Sequence, residues 1–303
     1  MTESNTKYYL DLIVANILFG VNLAVYSYLF KSGIPSEILF FFQVLVACLI
    51  FAPKMLFTKD YRISWNDIKQ LSINSLLIVF GGLYLTVKGT SYTTATDAAI
   101  ITLLGPLITI IIQRIRLNNT QKIIVFCIAL ATVILILKEF KHTRTLGNLI
   151  ILISVTCISL NTVLIKPLLS GHGTMKVMAW YYLIGLVLCI PMFLPLVLRF
   201  DFRAVPTDSY YSLAYAILLG TIPPSYFLYK GTEHLSPVKT ALFRCLRPLV
   251  AIAITMWQGK EKISSHSIII GMVIICGLII FIRMLRKLLD TNQLSYKKKA
   301  KYL

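Results

Sequence analysis

The stretch KGTSYTTATDAAIITLLGPL, residues 88–107, returns as KGTEHLSPVKTALFRCLRPL, residues 230–249, and this repeat decides the fold. The two stretches align without a gap at an offset of 142 residues. Lys-Gly-Thr matches at the start, Ala99 matches Ala241, and Pro-Leu matches at the end. Similarity of a chain to itself at a fixed spacing indicates that one structural unit occurs twice.

The composition assigns the chain to the membrane proteins. Of its 303 residues, 57% are hydrophobic and only 14% are charged, and the mean hydropathy is +0.78. Soluble domains have about 25% charged residues, so these values exclude the soluble-enzyme classes and predict an all-α integral membrane protein. The net charge of +18 is spread over short loops and a tail. Because basic residues at such places fix membrane topology, we expect a lipid bilayer, and no nucleic acid, as partner.

Ten segments are long and apolar enough to cross a bilayer, which takes about 20 residues per helix. An even number of spans places both termini on one side of the membrane. That side carries 19 basic residues and the other carries nine, not counting Arg244 and Arg247. Since basic loops stay in the cytoplasm, we expect both termini to be cytoplasmic. The predicted spans are residues 9–30, 36–57, 71–88, 95–113, 121–138, 147–167, 177–198, 210–229, 236–257 and 266–285.

The repeat divides the chain into two copies of five transmembrane helices. The first copy covers residues 1–138, the second covers residues 139–288, and a basic cytoplasmic tail follows at 289–303. Because five is an odd number, the second copy must lie upside down in the bilayer. Inverted repeats are common in secondary transporters, whose substrate site lies near the middle of the bilayer between the repeats. The sequence therefore predicts a site between the two copies.

The chain resembles the EamA-type family of the drug/metabolite transporter superfamily in ANILFGVN, residues 15–22, and in the two repeat stretches. It departs from the usual family pattern at Phe19-Gly20, where Trp-Gly is frequent, and at Gln43, where Arg is common. The resemblance implies a central cavity between helices 1, 3, 4, 6, 8 and 9 that closes alternately at each end, with helices 5 and 10 at the periphery. It also implies a small-molecule substrate, with export across the cell (cytoplasmic or inner) membrane as the more typical direction. Whether the chain forms a homodimer stays open.

Arg244 and Arg247 lie inside predicted helix 9, where a charged side chain costs from about 2.5 to more than 10 kcal/mol. A spacing of three places both on one helix face, which should look into protein or a wet cavity. Asp97 is the one acid clearly inside a predicted cavity helix. It lies about 12 Å from the level of Gly105, the repeat counterpart of Arg247. We predict an anion site, because a guanidinium binds carboxylate or phosphate. The alternative is that the arginines bond helix carbonyls, or that Arg244 reaches toward the cytoplasm.

Further candidate substrate contacts are polar side chains of the membrane helices, each of which could equally bond a neighbouring helix. Gly105 could leave room for an arginine or for substrate, or serve backbone packing. Pro106 and Pro248 are expected to bend helices 4 and 9 and to free carbonyls beside the cavity. Asp97 is the candidate for proton coupling. The polar candidates are Asn16, Asn22 and its repeat counterpart Asn161, Gln43, Tyr84, Tyr226 and Thr102.

An aromatic cluster, Trp180, Tyr181 and Tyr182, begins helix 7 and is typical of a belt at the membrane interface. The six cysteines lie in apolar runs and the four histidines lie in or beside loops. We therefore expect no metal and no cofactor.

The leading hypothesis is a secondary transporter, working as an exporter, for a small organic anion or zwitterion such as an amino acid or a related metabolite. One alternative is a sugar-phosphate or nucleotide-sugar transporter of the same superfamily. An alternative of another class is a non-transporting membrane receptor or assembly factor. An enzyme is not expected, because the sequence has no HExxH, no GxSxG and no paired carboxylates within a span.

Overall fold

The computed structural model of the protein describes residues 3–53, 63–115, 118–137 and 142–258, together with the single residues Met272, Cys276 and Ile280. All regular structure in this part of the chain is helical, as predicted. Six described helices are long and apolar enough to cross a membrane, and Ser36–Phe51 is a shorter apolar helix. The six are Thr6–Lys31, Trp65–Tyr92, Ala95–Ile112, Arg144–Leu164, Thr174–Arg199 and Pro237–Trp257.

The described residues form nine longer helices, which coincide with the first nine predicted spans: α1 Glu3–Lys31, α2 Ser36–Phe51, α3 Trp65–Tyr92, α4 Ala95–Ile112, α5 Asn119–Leu137, α6 His142–Leu164, α7 Thr174–Arg199, α8 residues 207–234 and α9 residues 237–258. A short helix, Lys166–His172, connects α6 to α7. The tenth predicted span, 266–285, and the basic tail, 289–303, lie outside the described residues apart from the three single positions, so the count of ten spans stays a prediction.

The repeat stretches begin their fourth helices with the same local structure. The Thr94 hydroxyl accepts a hydrogen bond from the backbone N–H of Asp97 at 3.1 Å, and Ser236 accepts one from Lys239 at 3.4 Å. These bonds satisfy N–H groups that a helix start leaves without a partner. The two capping residues are 142 positions apart, so the offset seen in the sequence returns as a matching helix start in the structure.

Both fourth helices tighten by one turn just before the proline. In α4 the tight turn is Thr102–Leu104, directly before Gly105 and Pro106. In α9 the backbone N–H of Arg244 bonds to the Ala241 carbonyl at 3.0 Å, and a new helical segment starts at Leu246. A proline has no N–H, and its ring clashes with the carbonyl four residues earlier. The regular helix is therefore interrupted where the sequence predicted bends.

The third helices of the two halves both contain a widened, π-helical segment. It covers Leu76–Tyr84 in α3 and Tyr215–Leu219 in α8. In α8 the segment ends at Gly220 and Thr221, and the helix resumes with Ile222–His234. Wide turns of this kind are frequently found at functional sites. The segment in α3 lines the cavity described below, and the segment in α8 ends at Gly220, whose carbonyl accepts a hydrogen bond from Asn22 of the cavity wall.

The first helix of each half packs against the third and fourth helices of the other half. Helix α1 packs against α8 and α9, whereas α6 packs against α3 and α4, and α2 packs against α7. Glycines allow close approach at two of these crossings. A Cβ atom at Gly20 would lie 2.8 Å from the Arg247 carbonyl oxygen, and one at Gly147 would lie 2.9 Å from the Gly89 carbonyl oxygen.

The exposure of side chains agrees with one expectation, for α5, and corrects another, for α7. Helix α5 exposes large apolar side chains such as Phe126, as expected of a helix that faces lipid. The interfacial belt predicted at residues 180–182 is wrong for Tyr181 and Tyr182, which are only 1% and 3% exposed. Helix α7 begins at Thr174, so these tyrosines lie two turns inside the helix and point into the core.

Candidate functional site

One cavity lies between helices α1, α3, α4, α6, α7, α8 and α9 of the described structure. The helices match those implied by the resemblance, and α7 is added through Tyr181 and Tyr182. Its walls are mostly apolar or aromatic, and of the described residues that line it none is Asp or Glu. The lining residues are Phe19, Asn22, Leu23, Tyr26, Ile78, Val79, Gly82, Leu83, Thr86, Thr102, Ile158, Tyr181, Tyr182, Ser225, Leu228, Tyr229 and Arg247.

Arg247 supplies the positive charge of this cavity. Its Nε donates a hydrogen bond to Oδ1 of Asn16 at 2.8 Å, and its Cζ lies 4.3 Å from the centre of the Phe19 ring. The guanidinium is thus held by α1 through a hydrogen bond and a cation–π contact. Its two terminal nitrogens make no hydrogen bond with a described residue, although Arg247 is only 8% exposed. Arg247 therefore brings two terminal nitrogens without a hydrogen-bond partner among the described residues to a cavity that it lines.

Arg244 is placed differently from Arg247, although both were expected on one helix face. It is 2% exposed and does not line the cavity. Its Nη2 donates a hydrogen bond to the hydroxyl of Thr162 in α6, and its Nη1 lies beside Gly105 in α4. Both arginines are buried, as expected of a face that looks into protein or a cavity, but they reach different helices: Arg247 reaches α1, and Arg244 reaches α4 and α6.

A polar network at the cavity wall contains Asn22. Its Nδ2 donates hydrogen bonds to the Tyr26 hydroxyl and to the Gly220 carbonyl, both at 2.8 Å. Gln43 of α2 also donates to the Tyr26 hydroxyl, at 2.7 Å, and to the hydroxyl of Thr221 at 2.8 Å. The interruption of α8 exposes these backbone and side-chain groups, and the two amides satisfy them. Asn22 therefore lines the cavity and also joins α1 to α8 by a hydrogen bond.

Asn161, the repeat counterpart of Asn22, lies behind the cavity wall. Its Nδ2 donates to Oδ1 of Asn74 at 3.0 Å, and its Oδ1 accepts from the Tyr229 hydroxyl at 3.1 Å. Asn161 does not line the cavity, but Tyr229 does. Each of the two asparagines therefore bonds a tyrosine of the cavity wall.

The remaining predicted site residues divide between the cavity and the packed interior. Thr102 lines the cavity, and its hydroxyl donates to the Ala99 carbonyl at 2.6 Å. The centre of the Tyr84 ring lies 5.0 Å from that of Phe40, and the centre of the Tyr226 ring lies 5.8 Å from that of Phe227. Neither tyrosine lines the cavity. Asp97 is 5% exposed in the first turn of α4, outside the cavity lining.

The sequence reasoning did not assign several aromatic side chains to the site. Phe19 contacts the Arg247 guanidinium, and four tyrosines, Tyr26, Tyr181, Tyr182 and Tyr229, form much of the wall. Phe19 and Asn16 are three residues apart, which places them on one face of α1. That spacing was the available signal for a pair that holds a cation.

No acidic side chain neutralises the two arginines in the described part of the chain. The ion pairs found there join other residues, such as Lys88 and Glu37 at 2.6 Å or His172 and Asp67 at 3.0 Å. Among the same residues, no group of three His, Cys, Asp or Glu side chains could hold a metal ion. The two buried guanidinium groups are therefore surrounded by tyrosine and amide side chains, and by no described carboxylate that pairs with them.

A helical membrane protein with a cationic cavity enclosed by helices of both halves has the architecture of a membrane transporter. The sequence model of the EamA-like transporter family matches the chain twice, at residues 6–137 and 145–283. The chain belongs to the EamA-like transporter family and is a multi-pass integral membrane protein.

A comparison with solved structures supports the same fold. A structure titled only "Crystal structure of protein" has 15% sequence identity and a TM-score of 0.64, and the match covers 93% of this chain and 99% of that chain. At this identity the likeness concerns the fold alone. No curated protein matches the chain.

Proposed function

We propose that the protein is a secondary transporter that exports a small organic anion or zwitterion, such as an amino acid or a related metabolite. One observation carries this proposal: the free donor pair of Arg247 in a cavity lined by aromatic rings and by no described acid. A guanidinium fork binds a carboxylate through two parallel hydrogen bonds. The aromatic and amide groups around it would select the rest of the molecule by shape.

Alternating access is the mechanism that the packing supports. The two halves exchange equivalent contacts, because α1 packs on α8 and α9 while α6 packs on α3 and α4. Such an exchange is what an inverted five-helix repeat requires, with substrate bound between the halves. We place the protein in the cytoplasmic membrane with both termini in the cytoplasm, as the distribution of basic residues predicts.

A sugar-phosphate or nucleotide-sugar substrate is less well supported than a carboxylate. That reading relied on two arginines acting together on a phosphate, whereas only Arg247 lines the cavity. Asp97 stays a prediction for proton coupling, and Asp97→Asn would test it by the pH dependence of transport.

The test compares metabolites inside and outside cells that contain wild type, Arg247→Gln, Arg199→Gln or the empty vector. Arg199 is an exposed arginine at the end of α7 and serves as the matched control. We expect one carboxylate-bearing metabolite to leave cells with wild type and with the control, and its export to fall about 10- to 100-fold in Arg247→Gln.

Purified protein in proteoliposomes loaded with that metabolite then separates transport from indirect effects. Flux carried by the wild type and lost in Arg247→Gln is the expected result. Equal flux in wild type and Arg247→Gln, with both inserted in the membrane, would show that Arg247 is structural. Absence of flux for every metabolite would favour a non-transporting receptor or assembly factor.

A further inference from the structure

Asn16 contacts the guanidinium of Arg247 from outside the cavity. Its Oδ1 accepts the hydrogen bond from Nε of Arg247 at 2.8 Å, while its Nδ2 donates to the Leu12 carbonyl at 2.7 Å. A carbonyl oxygen can only accept and a guanidinium can only donate, so these two partners fix the orientation of the amide. Asn16 is completely buried and does not line the cavity. Its effect on a bound molecule must therefore pass through Arg247.

The hydrogen bond to Asn16 determines which nitrogens of Arg247 stay available. Nε is engaged by α1, and Cζ lies 4.3 Å from the centre of the Phe19 ring. The two terminal nitrogens make no hydrogen bond with a described residue. Unlike Nη1 of Arg244, they are not among the fully enclosed atoms without a partner. They can therefore be reached from the cavity that Arg247 lines.

Asn16 also leaves the charge of Arg247 intact. An amide oxygen is neutral, so it orients the guanidinium without forming an ion pair, and no described acid lines the cavity. A carboxylate in the place of this amide would pair with Arg247 and cancel much of the attraction that an incoming anion experiences. Asparagine and aspartate have nearly the same shape. The difference between a cationic and a neutral cavity therefore depends on the chemistry of one side chain at position 16.

We propose that Asn16 is a positioning residue that makes the cavity select anions. It holds the Arg247 guanidinium by its Nε and, because it is uncharged, leaves the positive charge to the molecule in the cavity. This inference rests on the proposed function, since it takes Arg247 as the group that binds the anion. It adds that a residue outside the cavity sets the selectivity for charge.

Asn74 of α3 offers a matched control. It is 2% exposed, does not line the cavity, and donates from Nδ2 to the carbonyl four residues earlier, that of Gln70, at 2.8 Å. Its Oδ1 accepts a hydrogen bond at 3.0 Å from the neutral amide of Asn161. Asn74→Asp therefore makes the same chemical change as Asn16→Asp in the same local geometry, but without a guanidinium as partner.

The test compares benzoate with benzamide, which have nearly the same size but differ in charge. Isothermal titration of the purified full-length protein in neutral detergent, at constant ionic strength, gives a Kd for each compound. We expect the wild type to bind benzoate about 10- to 100-fold more tightly than benzamide, because hydrogen bonds to a charged group are the stronger ones. Asn16→Asp and Arg247→Gln should bring the ratio of the two Kd values close to one, whereas Asn74→Asp should keep it.

Asn16→Leu separates orientation from charge. This variant loses the orienting hydrogen bond but keeps the positive charge of Arg247, so it should bind benzoate more weakly than the wild type and still prefer it to benzamide. A merely structural role would weaken the binding of both compounds alike. If an aspartate variant does not fold, Asn16→Leu still decides, because a positioning role requires weaker benzoate binding with benzamide binding unchanged.

The outcomes distinguish this inference from the proposed function. An undiminished preference for benzoate in Asn16→Asp would overturn the inference and leave the proposed function standing. Loss of the preference in Asn74→Asp as well would also overturn it, since a carboxylate would then act from any buried position. Equal binding of the two compounds by the wild type would overturn the anion-binding cavity itself, and with it both the proposed function and the role of Asn16.

Discussion

The contact of α1 with α9 at Gly20 gives the most direct test of how the site is held together. In Gly20→Ala the new Cβ would lie 2.7 Å from Cβ of Val250 and 2.8 Å from the backbone oxygen of Arg247. Carbon atoms in contact are about 3.5–4.0 Å apart, so the two helices must separate by ~1 Å. One of the obstructing atoms belongs to the backbone, which cannot turn aside as a side chain does.

The expected loss of stability follows from two opposing contributions. Forcing extra volume into a packed interface costs about 1–3 kcal/mol, whereas replacing a helical glycine by alanine contributes up to about 1 kcal/mol. The middle of these ranges gives a net destabilisation of about 1–2 kcal/mol, or a fall in Tm of roughly 2–3 °C for a chain of this size. The separation also lengthens the 2.8 Å hydrogen bond between Arg247 and Asn16, so binding at the cavity should weaken as well.

Gly171→Ala is the matched control for this substitution. Gly171 is also a helical glycine, in Lys166–His172, and a Cβ there has nothing within 4 Å. This variant should melt at or slightly above the wild-type temperature, since it gains helix propensity without a clash. Both variants are melted side by side as purified protein in detergent. If Gly20→Ala melts as high as the wild type, the close packing of α1 on α9 does not hold the site, and the reasoning fails.

Three further substitutions test other contacts, again by thermal unfolding. Asn22→Ala removes two buried hydrogen bonds and should cost about 1–3 kcal/mol; an unchanged Tm would mean that the network does not hold the halves. Thr162→Val removes the hydrogen-bond acceptor of Arg244 and should lower the free energy of unfolding by about 1–3 kcal/mol. The control, Thr162→Ser, keeps the hydroxyl and should cost little. Equal losses in the two variants would show that Thr162 acts through packing instead. Glu37→Gln breaks the partly exposed pair with Lys88 and should cost less than about 1 kcal/mol, with a smaller effect at high salt; a loss above about 2 kcal/mol would contradict this weak surface role.

Much of the fold was accessible from the sequence because bilayer length and composition fix it. A segment of about 20 apolar residues has few structures open to it in a membrane, so the first nine spans coincide with helices. The offset of 142 residues returned as matching capping bonds at Thr94 and Ser236. The tight turns before Pro106 and Pro248 follow from the missing N–H of proline.

The side-chain arrangement was less accessible, because a membrane helix is apolar on all its faces. In a soluble helix the polar face marks the outside, but here both lipid and protein contact apolar residues. Spacing alone therefore could not separate Thr102, which lines the cavity, from Tyr84, which packs against Phe40 and Phe193. Nor could it show that Arg244 and Arg247 reach different helices, since that depends on the interruption of α9.

The exchange of first helices between the halves has a consequence for how the protein can be made. Helix α1 brings the buried polar side chains Asn16 and Asn22 to partners on α9 and α8, and α6 brings Asn161 to Asn74 on α3. A chain cut between the halves would leave these amides facing lipid in either fragment. Neither fragment should persist alone in a cell, whereas the two fragments produced together should rescue each other.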